Sequence, residues 1–378
     1  MIARILEEKL HRYDDDRKAL IIMGPRQTGK TTLLQHVYGT KKGVLWLNGD
    51  EFTTREFFDG VTTARLRAYI GDAKYVIIDE AQRIRDIGIK LKLITDHIQT
   101  TKLVVTGSSS FELSSRLNEP LTGRKWEMRL YPISFLEMVR HHGLWREREM
   151  LEERLVFGYY PEVVVTEKSR QLIVRALAGD YLYKDLLIWN RIKKAEKIQR
   201  LLQALAFQVG HQVSYLELSR LVGLDKETVE SYIDLLEKAF VIFRLGSFRR
   251  NLRTELNKSK KIYFWDTGIR NALISNFSPL NARDDVGALW ENFLIAERLK
   301  YISYFDIYSN CYFWRTKRQQ EIDYVEERDG KLHAYEFKWN PSSKWKPPGT
   351  FSNAYPDSSV ELITPANFES FLGVTNPD

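Results

Sequence analysis

Eight consecutive residues near the N-terminus have the types and spacing of a phosphate-binding loop. They fit the pattern G-x-x-x-x-G-K-[ST] at every fixed position. In such a loop, backbone N–H groups at the positive end of the following helix surround the β-phosphate. Lys30 would reach the β- and γ-phosphate oxygens, and Thr31 would bind Mg²⁺. The predicted nucleotide contacts are Gly24, Pro25, Arg26, Gln27, Thr28, Gly29, Lys30, Thr31 and Thr32.

A pair of carboxylates follows a later apolar run, residues 75–78. Ligands of open α/β sheets bind at the carboxyl ends of the strands. Asp79 is therefore expected to hold Mg²⁺, often through water, and Glu80 to orient or deprotonate the water that attacks the γ-phosphorus of ATP. The alternative is that the two acids only begin a helix, where they favour its dipole.

Further polar residues are candidates for the same site. A sensor of the γ-phosphate or of the water could be Thr106, the last residue of the apolar run at 102–106, or Ser108 after it, although serines in such loops also cap helices. Arg124 is the guanidinium expected to stabilise charge that develops on the γ-phosphate, an effect on the order of 10³–10⁵ in rate. The sequence does not say whether Arg124 acts on the nucleotide of its own subunit or on that of a neighbour in an oligomer.

Strand and helix patterns must position these residues. Apolar runs at residues 19–23, 43–47, 75–78 and 102–106 alternate with helical patterns. This alternation indicates a parallel sheet covered by helices. The first run leads into the phosphate loop, and a helical pattern at residues 31–37 follows it. The predicted fold class is α/β with a P-loop parallel sheet.

Five segments, in this order, resemble the AAA-like ATPases of bacteria and archaea that carry a C-terminal domain of unknown function. They are residues 24–31, 79–83, 106–109, 121–124 and 131–135, and the resemblance extends over nearly the whole chain. It implies a P-loop domain with an additional strand and a catalytic glutamate. Arg124 matches the Gly-Arg motif of that family.

The middle of the chain has a mainly helical pattern. Residues 131–198 suggest a helical lid or bridge. Residues 199–285 contain three short amphipathic helices, the second and third with Ser214 and Asp225 as candidate caps, and then an extended segment. This order is typical of a winged helix-turn-helix. The third helix, residues 225–238, has five acids against two lysines, which disfavours contact with phosphates.

Basic residues follow these helices. Residues 244–261 contain seven cations against one acid, Glu255. If DNA is a partner, this wing side would contact it. Otherwise the region is a spacer or binds a protein. The cations predicted to contact DNA are Arg249, Arg250, Arg253, Lys258, Lys260 and Lys261.

A hairpin pattern in residues 286–378 brings acidic residues together. Asp329-Gly330 is a two-residue turn signal, which would pair Arg328 with Lys331 and place Asp323 opposite Glu336. Strand alternation then gives two faces. One face would carry Glu321, Asp323, Glu336 and Lys338, and the core face would carry Ile322, Tyr324, Tyr335 and Phe337.

This arrangement resembles the D…(D/E)xK metal site of the restriction-endonuclease-like nucleases. Asp323, Glu336 and Lys338 match its core, and Glu291, on a helix predicted at residues 286–301, matches the acid that the first helix often supplies. The resemblance implies that the acids bind Mg²⁺ and that Lys338 activates water against a phosphodiester. The alternatives are a solvated hairpin face with a Glu321–Lys338 pair, or an inactive nuclease-like fold.

Composition sets outer limits on these hypotheses. The 378 residues suggest two or three domains, and the apolar runs are far shorter than the roughly 18 residues of a membrane span. The single cysteine, Cys311, excludes an intrachain disulfide and fits a reducing cytoplasm. A net charge of +7 permits nucleic-acid contact without proving it.

We therefore expect a cytoplasmic, Mg²⁺-dependent ATPase with an AAA-like domain (1–130), a helical bridge (131–198), a winged-helix region (199–285) and a nuclease-like domain (286–378). In the leading hypothesis, ATP turnover drives the binding, remodelling or cleavage of a nucleic acid. The main alternative is a regulatory switch that acts on a protein partner, with the nuclease-like fold as an inactive scaffold. A small-molecule kinase is a third option, and its phosphate transfer would survive loss of Glu80.

Overall fold

The computed structural model describes residues 1–107, 121–181, 195–248, 260–342 and 344–374. The chain divides into two compact units. The first contains residues 1–133 and the short segment 238–240, and the second contains residues 134–237 and 241–378. No helix in the described part of the chain is long and apolar enough to cross a membrane.

The first unit contains a five-stranded parallel sheet. Its strands are β1 (Ala19–Met23), β2 (Val44–Asn48), β3 (Tyr75–Asp79), β4 (Lys102–Gly107) and β5 (Lys125–Arg129). Their order in the sheet is β2-β3-β4-β1-β5. The first four confirm the strands predicted from the apolar runs, and β5 is a fifth strand. Every residue of β1 is buried, because helices cover both faces of a parallel sheet.

Helices connect these strands. The helix after the phosphate loop begins at Lys30 and confirms the pattern of residues 31–37. A 3-10 turn, Ala81–Arg83, follows β3. The helices are α1 (Ile5–Arg12), α2 (Lys30–Tyr38), α3 (Phe52–Phe58), α4 (Thr63–Ile70) and α5 (Ile87–His97).

The second unit begins with five short helices and a π-helical turn, Leu177–Tyr181. Ser134 and Glu137 form a capping box that begins the first of these helices. They are α6 (Phe135–His142), α7 (Leu144–Glu149), α8 (Leu151–Phe157), α9 (Pro161–Val165) and α10 (Arg170–Ala176).

Further helices of this unit begin at the predicted caps. Ser214 accepts a hydrogen bond from the backbone of Glu217, and Asp225 accepts one from Thr228 at 2.7 Å. Asp266 likewise caps a helix, its side chain accepting a hydrogen bond from the backbone of Ile269. The remaining helices of the second unit are α11 (Ala195–Phe207), α12 (Tyr215–Val222), α13 (Lys226–Lys238), α14 (Thr267–Leu273), α15 (Val286–Tyr304), α16 (Gly349–Ala354) and α17 (Phe368–Phe371). A 3-10 turn, Leu280–Ala282, precedes α15.

A seven-stranded sheet lies in the second unit. Its strands are β6 (Gln212–Val213), β7 (Ile242–Ser247), β8 (Lys260–Phe264), β9 (Asn310–Arg315), β10 (Glu321–Arg328), β11 (Lys331–Phe337) and β12 (Ser359–Ile363). Their order in the sheet is β12-β11-β10-β9-β7-β8-β6. β7 pairs in parallel with β9, so the sheet crosses the domain boundary predicted at residue 285. Sequence patterns do not reveal such a pairing, because it joins strands more than 60 residues apart.

The predicted hairpin is confirmed. Strands β10 and β11 pair from Arg328 with Lys331 to Tyr324 with Tyr335. The two turn residues have φ values of 49° and 74°, as a type I′ turn requires.

The predicted faces of the hairpin are wrong at Ile322. An irregularity of β10 against β9 between Ile322 and Val325 changes the alternation. Ile322 consequently packs in a cluster with Val325 and Ala334. The alternation predicts three aromatic residues beside Ile322, namely Tyr324, Tyr335 and Phe337. In the structure their rings instead surround Phe371.

Candidate nucleotide and acidic sites

The phosphate loop lies between β1 and α2 and folds back on itself. The Lys30 Nζ donates to the carbonyl oxygens of Gly24 (2.9 Å) and Pro25 (2.7 Å). The hydroxyl of Thr28 also donates to the Pro25 carbonyl, at 2.8 Å. Gly29 has φ 88°, a left-handed conformation that glycine adopts without steric cost. The loop is therefore compact, and the Lys30 ammonium group links its end to the carbonyl oxygens at its beginning.

Gly24 is required because the chain segment after β5 passes directly beside it. A Cβ atom at this position would lie 2.0 Å from the carbonyl oxygen of Leu130. The backbone N–H of Leu130 donates to the Met23 carbonyl at 2.8 Å, which holds the segment after β5 in place. The first glycine of the motif thus permits a close approach of protein backbone.

The two predicted Mg²⁺ ligands are in direct contact. The hydroxyl of Thr31 donates to Asp79 Oδ2 at 2.6 Å. Asp79 Oδ1 accepts hydrogen bonds from the hydroxyl of Thr106 and from the backbone N–H of Glu80, the latter at 3.1 Å. Asp79 is therefore held with one oxygen toward the first turn of α2. These oxygens are the hard ligands that Mg²⁺ prefers, so the residues present fit this ion.

Glu80 follows β3 with φ 49°, a left-handed conformation that is uncommon for a residue with a side chain. Its carboxylate accepts a hydrogen bond from the side-chain amide of Gln82 at 2.5 Å. Its backbone carbonyl lies so close to Gly49 that a Cβ there would be 2.3 Å from the oxygen. Sequence reasoning did not identify Gln82, which lies two positions after Glu80.

Arg124 lies at the amino end of strand β1, whereas the phosphate loop lies at its carboxyl end. Its carbonyl accepts a hydrogen bond from Ala19, the first residue of β1, whereas the loop follows Met23, the last. These two ends are about 13 Å apart along the strand. The guanidinium pairs with Asp96 at 2.6 Å. Arg124 therefore does not face the nucleotide site of its own chain, and action on a neighbouring subunit stays a prediction. Ser108 lies outside the described residues.

The four candidate residues of the acidic site come from α15, β10 and the end of β11. Lys338 Nζ donates to Glu336 Oε1 at 2.6 Å, and the backbone of Phe337 donates to Asp323 Oδ2 at 3.0 Å. Burial and the nearby Glu291 carboxylate raise the pKa of Asp323 to about 7. Burial and Asp323 raise the pKa of Glu336 to about 7 as well. The structure thus brings the carboxylates close enough to oppose one another's ionisation.

Lys261 supplies a counter-ion to this cluster. Its side chain is 2% exposed, and Nζ lies 2.9 Å from Glu291 and 2.5 Å from Glu321. The hydroxyl of Tyr263 donates to the same Glu291 oxygen at 2.5 Å. The prediction that Lys261 contacts DNA is therefore wrong, because a strand position inside the sheet buries it. The signal in the sequence is that Lys261 directly precedes the apolar run at residues 262–265, which predicts a buried strand.

The alternative pairing of Glu321 with Lys338 is also wrong, because each residue has another partner. Glu321 pairs with Lys261 and with Arg315, and Lys338 pairs with Glu336. No group of three potential metal ligands is present in residues 1–107, 121–181, 195–248, 260–342 and 344–374.

The remaining basic residues of the wing are only partly described. Lys260 is half-buried, with Nζ 5.6 Å from the ring centroid of Tyr215. Arg244 pairs with Asp234 and Glu237, two of the acids on α13, and so offsets part of that helix's negative charge. The other cations predicted to contact DNA lie outside the described residues: Arg249, Arg250, Arg253 and Lys258.

Comparisons with known proteins agree with the geometry of the first unit. Residues 16–139 match the model of an AAA domain. Residues 148–280 and 286–367 each match a domain of unknown function, DUF8612 and DUF4143 respectively. The first unit therefore contains an AAA-type, nucleotide-binding ATPase domain, as the resemblance implies.

Relatives similar in sequence extend over most of the chain. The chain is 27% identical over 338 residues to an uncharacterized protein of Mycobacterium tuberculosis, covering 88% of this chain and 72% of that protein. It is 22% identical over 390 residues to an uncharacterized protein of Methanocaldococcus jannaschii, covering 96% and 85%. A Walker-type ATPase of Pyrococcus abyssi has a similar fold, with a TM-score of 0.52, 16% identity and coverage of 72% and 96%.

Proposed function

We propose that the first unit binds ATP with Mg²⁺ and hydrolyses it with water. The observation that carries the proposal is the contact between Thr31 and Asp79 beside the Lys30 ammonium group. Thr31 and Asp79 would hold Mg²⁺, and Lys30 would bind the β- and γ-phosphate oxygens. Glu80, held by Gln82, would orient and deprotonate the attacking water.

ATP binding and hydrolysis by Lys30→Ala and Glu80→Gln test this assignment. We expect Lys30→Ala to lose both activities. Glu80→Gln should bind ATP with the wild-type Kd and lose about 10²–10⁴ in kcat, the usual contribution of a general base. Lys42→Ala, which changes an exposed lysine of the same unit, is the matched control. Unchanged hydrolysis in Glu80→Gln would remove Glu80 from the mechanism, and phosphate transfer to an acceptor would indicate a kinase.

We further propose that the ATP cycle controls binding, remodelling or cleavage of a nucleic acid by the second unit. The supporting observation is the acid pair of Asp323 and Glu336 next to Lys338. Glu336 Oε2 is buried and has no hydrogen-bond partner among the described residues. Mg²⁺ often binds one or two carboxylates and completes its shell with water and phosphate oxygens. A nucleic-acid phosphate would supply the ligands that the protein lacks.

The nucleic acid itself would be held by the region of α12 and α13. These helices, with the antiparallel strands β6, β8 and β7, are the elements that a winged helix-turn-helix would use. Because acids predominate on α13, we assign the contact to the wing side and not to this helix. Weaker DNA binding by the double variant Arg249→Ala and Arg250→Ala, measured at several salt concentrations, would support this assignment.

Cleavage assays with Mg²⁺ and with Mn²⁺ test the acidic site on single- and double-stranded DNA and RNA. We expect Glu336→Gln to lose cleavage and to keep its ATPase activity. Glu361→Gln changes an exposed carboxylate on the neighbouring strand β12 and is the matched control. No cleavage on any substrate, together with no binding at low salt, would favour the regulatory switch that acts on a protein partner.

A further inference from the structure

One arginine outside the motif holds the phosphate loop from a distant part of the first unit. Arg4 precedes α1 and is 8% exposed. One guanidinium nitrogen donates to the carbonyl oxygen of Thr28 at 2.7 Å. The other donates to the carbonyl oxygen of Tyr131 at 2.7 Å. The two acceptors are backbone atoms that lie 103 positions apart in the chain, so the arginine joins segments that the sequence separates widely.

The bond to Thr28 controls the direction of the next N–H group. A trans peptide is planar, and its C=O and N–H point in opposite directions. With the Thr28 oxygen turned toward Arg4, the Gly29 N–H points away from Arg4. This N–H is the first of the consecutive groups, at residues 29–31, that lead into α2. Such groups at a helix N-terminus bind phosphate.

The bond to Tyr131 acts on the other end of the loop. Tyr131 directly follows Leu130, whose carbonyl leaves no space for a side chain at Gly24. Leu130 is in turn hydrogen-bonded to Met23. Arg4 thus holds the loop at Thr28 directly and supports the segment that packs against Gly24. A planar guanidinium with two separate donor nitrogens can bridge two carbonyl groups, which the single ammonium group of lysine does not reproduce.

We propose that Arg4 is a positioning residue of the nucleotide site, which fixes the orientation of the loop's N–H groups before the phosphate binds. The inference rests on the proposed ATP site. Arg4 acts through the Thr28 carbonyl, so its loss lowers the affinity for ATP and ADP alike and leaves the chemical step nearly intact. A uniform loss of binding of this kind appears in KM and Kd and not in kcat.

The test measures Kd for ADP–Mg²⁺ and ATP–Mg²⁺, kcat and KM for Arg4→Lys and Arg4→Met. Arg12→Met, which removes an exposed arginine from the last position of α1, the helix that Arg4 precedes, is the matched control. We expect a rise of about tenfold in Kd and KM and a change of less than about threefold in kcat. The stabilisation of each protein by excess ADP–Mg²⁺ should fall in parallel with its affinity.

The outcomes separate this inference from the proposed function. A wild-type protein that binds no nucleotide would overturn the proposed function. A wild type that binds, with Arg4→Lys binding equally well, would overturn the inference alone. A lower melting temperature without nucleotide, combined with a wild-type Kd, would show that Arg4 only stabilises the fold. If Arg4→Met does not fold, Arg4→Lys decides, because it keeps the charge and the aliphatic stem.

Discussion

Replacing Asp323 by asparagine is expected to stabilise the second unit, and more at pH 8 than at pH 5. Asp323 has an ordinary pKa of 3.8, which burial and the Glu291 carboxylate raise to about 7 in the folded chain. One pKa unit corresponds to about 1.4 kcal/mol, so ionised Asp323 costs up to about 4 kcal/mol. Asparagine has the same shape and can still accept the hydrogen bond from Phe337.

The pH dependence follows from the direction of this change. Between about pH 4 and pH 7 the unfolded chain has lost the Asp323 proton and the folded chain still holds it. The free energy of unfolding of the wild type therefore decreases as the pH rises through this window. At pH 5 only about a third of the penalty applies, and at pH 8 all of it does. Because Asp323 keeps some access to solvent, we expect the variant to gain about 1–3 kcal/mol more at pH 8.

Urea denaturation at both pH values, followed by circular dichroism and tryptophan fluorescence, measures this difference. Glu230→Gln, which changes an exposed carboxylate on α13, is the control and should alter stability by less than about 0.5 kcal/mol. Equal effects of Asp323→Asn at pH 5 and pH 8 would refute the reasoning, as would a larger gain at pH 5. A confirmed gain would mark Asp323 as a residue kept at a cost in stability, which is typical of functional sites.

Three other substitutions test further parts of the structure. Lys261→Met should lower the free energy of unfolding by about 3–5 kcal/mol in chemical denaturation, since it removes the cation that pairs with Glu291, while Glu321 keeps Arg315; Lys260→Met should cost far less. Gly24→Ala should weaken ATP binding more than about tenfold in calorimetry because its Cβ meets backbone, whereas Gly287→Ala, in open space, should not. Arg124→Ala should bind ATP with the wild-type Kd. A clear rise in Kd would contradict the position of Arg124 at the amino end of β1, away from the phosphate loop.

Local features of both candidate sites could be predicted from the sequence. The strand, glycine-rich loop and helix around Lys30 are consecutive, so their spacing in sequence determines their spacing in space. The same holds for the hairpin at Asp329-Gly330, where a two-residue turn sets the register of both strands. A helix cap such as Asp225 can be predicted from the sequence, because it depends only on the next three residues.

Residue types and their spacing are enough to predict the phosphate-binding motif, the strand that precedes it, the acidic pair after β3 and the turn of the C-terminal hairpin. Three other features follow from the folded arrangement: Arg124 lies at the amino end of β1, Lys261 is buried between two carboxylates, and Arg4 holds the phosphate loop. Each of these depends on side chains or strands that are far apart in the chain. Their contacts follow from strand order and from burial, and neither leaves a regular pattern in the sequence.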